Sequence, residues 1–161
     1  MSLSRNSEEN YPENTTGWII IFSPETWDIA KSINFHCAAF PLQRTRQVRR
    51  IRQGDILYPY ITRSHLFMGI FRVSGSFVID NSSEIFAPPG SYPIVLPVRP
   101  QIILDGLKCI DASSMFGHLT IFFGARTMKS PYSVLRSSPL QLRSADSRSL
   151  FSCIKSRSNE Y

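Results

Sequence analysis

The sequence is poor in the features that announce most chemistries. Its three cysteines, Cys37, Cys109 and Cys153, are odd in number and far apart in 161 residues, which argues against a disulfide framework and for reduced thiols. No apolar run approaches the about 20 residues of a membrane-spanning helix, and residues 1–16 lack the apolar centre of a secretory signal. A soluble, cytoplasmic protein that does not enter a membrane is expected. The glycosylation pattern Asn14-Thr15-Thr16, without such a signal, is read as chance.

Catalytic signatures are missing too. There is no glycine-rich phosphate loop and no paired Cys/His spacing of the zinc type, so no metal or cofactor is expected. The histidines His36, His65 and His118 sit in no recognisable nucleophile context. His36 and Cys37 are adjacent, but neighbours on a strand point to opposite faces. Enzyme chemistry is therefore the weaker reading, and a hydrolase built on His36 or His118 is its remaining form.

What the chain does carry is positive charge. Lys+Arg number 18 against 12 Asp+Glu, a formal charge of +6, which favours polyanionic partners without identifying one. The excess is concentrated in "RTRQVRRIRQGD", where Arg44, Arg46, Arg49, Arg50 and Arg52 fall within nine positions. Arginine is a good helix former, and one solvated face could hold most of the five. Yet no acid lies between Arg44 and Arg52 to make stabilising helical pairs, so phosphate contact competes with mere solubility as the reason for the cluster.

Length and 42% hydrophobic residues suit one domain with one core. Residues 1–16 are polar and aperiodic and read as a flexible tail, followed by a single domain over 17–161. "GWIIIFS" reads as a buried strand, after which Ser23 caps a helix that starts at Pro24 and ends near Asn34. The arginine segment forms a short helix that buries Val48 and Ile51 until Gly54 stops it. "DILYPYIT" and "HLFMGIFRV" are two strands turning at Arg63 and Ser64, and a third begins near Phe77. In "YPIVLPVRP", Pro93 and Pro97 place the strand at a sheet border or bulge. Ser144 caps a closing helix that buries Leu150, Phe151 and Ile154. No internal repeat is present. The order of elements predicts an α+β fold, a small mixed β-barrel with helices packed on it.

Aromatic residues cluster at strand starts and loops: Trp18, Phe35, Tyr58, Tyr60 and Phe86. Core packing is the ordinary fate of any one of them, whereas together they could converge on a barrel mouth. The motifs "WIIIFSPETWDIAK", "RRIRQGDILYPYIT", "FMGIFRVSG" and "YPIVLPVRP" occur in this order. The sequence thereby resembles the EVE domain, a PUA-like family related to the YTH readers of methylated adenine, over roughly residues 17–105. The resemblance implies a PUA-like barrel of five or six strands flanked by helices, with a pocket for a modified, flipped-out base and no intrinsic catalysis. It places Trp18, Ser23, Pro24 and Trp27 on the family's first strand and the turn after it. Phe35, His36, Cys37 and Ala38 fall on its pocket loop, Tyr60 on the tyrosine of a later strand, and Phe86 on a second cage wall.

A flipped base costs a few kcal/mol to unstack, and aromatic walls recover about 1–3 kcal/mol per stacked base. Ser23, Asn34 and the backbone of residues 36–38 are candidates for reading the base edge. The expected function is thus a nucleic-acid reader, of DNA or RNA, with Trp18, Phe35 and Tyr60 as cage walls and the five arginines as the phosphate-contact pool. The alternative is a small-molecule or protein-interaction module using the same pocket.

Overall fold

A computed structural model describes residues 10–86, 88–124 and 130–159. β1 (Gly17–Phe22) is almost wholly buried, as its run of Trp, Ile and Phe requires. It passes directly into α1 (Pro24–Ser32) through a reciprocal cap. The Thr26 N–H donates to Ser23 Oγ at 3.1 Å and the Ser23 N–H to Thr26 Oγ1 at 2.8 Å, so two helix-end donors are satisfied at once. Asn34 and Phe35, at φ of 57° and 52°, then reverse the chain into β2 (Cys37–Phe40).

Next comes the arginine segment. A 3-10 turn (Leu42–Arg44) runs into α2 (Thr45–Val48), and Val48 and Ile51 are buried while Arg46, Arg49, Arg50 and Arg52 are exposed and Arg44 half-buried. Two apolar anchors under a charged surface are what the sequence pattern predicts. Gly54, at φ of 90°, makes the turn into β3 (Ile56–Ile61). The expected second strand is split into β4 (Leu66–Phe67) and β5 (Gly69–Val73). At Gly69 a Cβ would lie 2.0 Å from the Ile102 carbonyl oxygen, so only glycine permits this approach of β5 to its neighbour.

β6 (Val78–Ile79) is short, and β7 (Ile94–Ile103) is the longest strand. β7 is not at a border, one of the two settings expected; the other, a bulge, occurs where its pairing with β5 shifts register. It pairs with β2 and β6 through its first half and with β5 through its second. Pro97 is tolerated because its carbonyl accepts from Ser74 N at 3.0 Å. Its nitrogen therefore faces the gap between the end of the β6 pairing, at Val78 opposite Val95, and the first β5 pair, at Val73 opposite Val98. Pro100 lies beside the register shift between Ile70 and Phe71, where a ladder bond is already interrupted.

β8 (Ile110–Asp111), a series of 3-10 turns, β9 (Leu140–Gln141) and α3 (Ser144–Ser158) complete the described chain. Ser144 is the first residue of α3, and the cap position is Arg143, which makes no side-chain cap bond. The main sheet path is β2-β7-β5-β3-β1-β9, with β4, β6 and β8 attached at its margins. The fold is thus mixed α+β, with six strands curled into a half-barrel and nine strands among the described residues, where a five- or six-stranded barrel was expected. One face of the sheet packs Trp18, Ile20, Phe22, Leu57 and Phe71 against α1 and the arginine segment. The other packs Ile19, Tyr58, Tyr60 and Phe67 against α3 and the 3-10 turns.

The expected tail extends too far. Residues 1–9 lie outside the described residues, but the Tyr11 ring meets Phe151 edge-on at 5.3 Å and its hydroxyl bonds Ser147 Oγ at 2.6 Å. The Thr16 N–H donates to Asp55 Oδ1. The packed chain therefore begins before Gly17, because one tyrosine and a few backbone bonds suffice to dock a short polar segment.

Candidate functional site

The carboxyl end of β1 opens into a cavity of about 250 Å³. Phe22, Phe40, Phe86 and Tyr92 supply its aromatic surface, and Ala38 and Ala39 leave the room. Phe22 and Phe86 meet edge-to-face at 6.1 Å, a favourable aromatic geometry that fixes the angle between two walls. Ser23, Thr26, Thr62 and Ser138 supply hydroxyls. Two of these elements are tied to β1 by its own backbone. The Thr62 N–H donates to the Phe22 carbonyl at 2.9 Å, and the Ile21 N–H, beyond the reach of β9, donates to Ser138 Oγ at 3.1 Å. Among the described residues, none that lines the cavity is charged. It is smaller than the roughly 300–1,000 Å³ of drug-sized ligand sites, and its chemistry suits one flat, uncharged group with polar edges.

The arginine segment starts at this cavity, since Phe40 lines it and Pro41 leads into the turn carrying Arg44. At its far end Arg50 donates to Gln141 Oε1 and lies over the Trp18 ring, 5.9 Å from its centroid. Gln141 is three residues from Ser138. Buried Asp55 fixes the base of the segment by accepting from Arg52 N at 2.9 Å, Thr16 N at 3.0 Å and Trp18 Nε1 at 3.1 Å.

Of the residues expected to form the pocket, Ser23, Ala38 and Phe86 line this cavity, and Pro24 is the first residue of α1 beside it. Trp27 and Phe35, with ring centroids 4.8 Å apart, instead border a separate hollow of about 420 Å³ with Lys31, Met68 and Asp105. Cys37 is buried in the core, where desolvation pushes its thiol pKa up. Asn34 and His36 are exposed, with His36 Nδ1 2.6 Å from the Ile33 carbonyl.

The proposed cage of Trp18, Phe35 and Tyr60 does not form. Trp18 is 2% exposed and its indole N–H is held by Asp55. Tyr60, also 2% exposed, lies on the opposite sheet face, its hydroxyl 2.6 Å from His65 Nδ1. Burial, reinforced by Tyr132 and Asp111, pushes its pKa up to about 12. The cavity residues that sequence reasoning missed are Ile20, Ile21, Phe22, Thr26, Ala39, Phe40, Thr62, Tyr92 and Ser138. Phe40 was within reach, since it shares a strand face with Ala38 by the period of two. Tyr92 and Ser138 arrive from distant loops and leave no local signal.

No protein-family model matches the sequence, and no curated protein matches it significantly. Solved structures do. The chain is similar to the YTH domain of Zygosaccharomyces rouxii MRB1 protein, solved in complex with N6-methyladenosine RNA, with a TM-score of 0.64 at 17% identity over 91% of this chain and 90% of that one. It is also similar to the Pho92 YTH domain in complex with m6A, with a TM-score of 0.66 at 16% identity over 91% and 89% of the two chains. A protein of Rhodopseudomonas palustris gives a TM-score of 0.60 at 14% identity over 91% and 97%. The fold is therefore the one these YTH domains share.

Proposed function

We propose that this protein is a non-enzymatic reader that captures a methylated base of RNA in the cavity at the end of β1. The observation that carries the reading is the joining of an uncharged, aromatic-walled cavity to an acid-free arginine segment through Phe40 and Pro41. Two of the similar YTH domains are solved with methylated adenosine or RNA containing it, which supports RNA as the partner and methylation as the mark. The aromatic walls return the cost of unstacking a base, and a buried methyl adds roughly 0.8 kcal/mol. That modest term selects a modified base only when the cavity excludes water from the methyl group. The hydroxyls of Thr62 and Ser138, which line the cavity, read the base edge. Arg44, Arg46, Arg49, Arg50 and Arg52 hold phosphates along the segment that leads away from the cavity, a contact that adds affinity without sequence information.

The test is direct titration of short RNA strands with and without one N6-methyladenosine, alongside methylated and plain DNA. Tighter binding of the methylated RNA is expected, and equal affinity for all strands would overturn the reading. Arg46 and Arg49 are exposed, so the R46Q/R49Q variant leaves the core intact. Each lost phosphate contact is expected to flatten the log–log salt dependence on single strands by about 0.7, with the preference for the methylated strand kept. A salt slope equal to that of the parent protein would remove these two arginines from the interface.

A further inference from the structure

The arginine segment runs from one hollow to another. Phe40, just before it, lines the aromatic cavity, and Gln53 and Gly54, just after it, line a second opening of about 400 Å³. That opening also contains Arg72, Ser74, Arg99 and Gln101. Arg72 on β5 pairs directly with Arg99 on β7, so the two side chains leave the same face of the sheet side by side. Like charges placed directly opposite destabilise a sheet, and among the described residues no carboxylate lines the opening to offset them. The nearby acid, Asp55, already accepts bonds from Thr16, Trp18 and Arg52.

The guanidinium of Arg72 is fixed in orientation. Its Nε donates to the Gly54 carbonyl at 3.0 Å, and Gly54, at φ of 90°, is held there by its own N–H on the Val73 carbonyl at 2.8 Å. One edge of the fork is thus spent on the protein, and the remaining N–H groups are oriented beside exposed Arg99 and the amides of Gln53 and Gln101. Two guanidinium groups, an amide-rich rim and no acid form a receptor for a doubly coordinated oxyanion.

We propose that the Arg72–Arg99 opening is a second phosphate site, which grips a phosphodiester of the strand whose base occupies the cavity, at the far end of the arginine segment. The proposal rests on the reader function and extends it: the strand is clamped at both ends of residues 41–52, so binding needs several nucleotides on one side of the captured base.

The test compares R99Q and R72K with the parent protein on methylated and unmodified RNA strands of increasing length. R99Q removes an exposed charge, and R72K keeps charge but loses the oriented fork. For R99Q the salt slope is expected to flatten by about 0.7, equally for methylated and unmodified strands, and only on strands long enough to reach the opening. R72K is expected to weaken long strands while leaving the slope nearly unchanged. The Nε–H resonance of Arg72 is expected to shift on adding unmodified RNA. A persisting preference for methylated RNA with an unchanged R99Q slope overturns this site and leaves the reader standing. Loss of that preference with a flattened slope does the reverse. A shift of the Arg72 resonance by inorganic phosphate but not by RNA makes the opening a small-anion site and overturns the strand contact.

Discussion

Replacing Ala39 by leucine is expected to abolish the preference for a methylated strand while leaving the protein folded. Ala39 lines the cavity and is only partly buried, so three added carbons enter a space of about 250 Å³ rather than a packed core. A base that can no longer enter loses its stacking, worth about 1–3 kcal/mol, or roughly five- to more than a hundredfold in affinity. Unmodified strands, held mostly through phosphates, are expected to lose far less. Phe86→Ala removes a wall and is the more obvious change, but Phe86 is 9% exposed. Its truncation would also cost about 3–5 kcal/mol of stability as a buried phenylalanine, which confounds the reading. The leucine variant separates the two effects. A folded A39L protein with undiminished selectivity would show that the base does not enter this cavity.

Asp55→Ala is expected to cost about 2–5 kcal/mol of a total of roughly 5–15. The carboxylate accepts from three N–H groups, and the Trp18 indole N–H, on a side chain only 2% exposed, has no water to turn to. Thr16 and Arg52 lie nearer the surface and recover part of their loss by hydration, which sets the lower end of the range. At this chain length each kcal/mol corresponds to about 2–4 °C in melting temperature, so a fall of about 4–20 °C is expected. Binding should weaken as well, because the same carboxylate anchors the arginine segment at Arg52 and β1 at Trp18. A melting temperature within a degree or two of the parent would show that these bonds contribute little. D55N, which keeps one acceptor oxygen but adds donors facing donors, is expected to fall between the two.

How much of this was legible beforehand follows the range of each interaction. The β1–α1 unit was readable because its determinants are local: an apolar run, a serine cap and Pro24 at the first helical position all lie within a few residues. The arginine segment was readable for the same reason. Val48 and Ile51 are its apolar anchors, and five guanidinium groups cannot be buried without partners, so they had to face solvent. The resemblance to the EVE and YTH group pointed to the fold the YTH structures share, and of the pocket it placed Ser23, Ala38 and Phe86 on the cavity.

Other features depended on how distant segments meet. The parallel register sets Trp18 opposite Leu57 and Ile21 opposite Tyr60. Because strand side chains alternate, that register alone sends Trp18 and Tyr60 to opposite faces, and a slip of one residue would have brought them together. The proline-bearing strand illustrates the same limit. From the sequence, Pro93 and Pro97 implied a border or a bulge. The interior place of Pro97 became possible only because β6 stops and β5 starts on either side of it. Tyr92 and Ser138 reach the cavity, and Arg99 reaches Arg72, by contacts across many intervening residues. Which segments are apolar, capped and charged is a property of neighbours along the chain and can be read from it directly. Which rings share a cavity and which arginines share a face follows from strand register, which packing fixes only when the chain has folded.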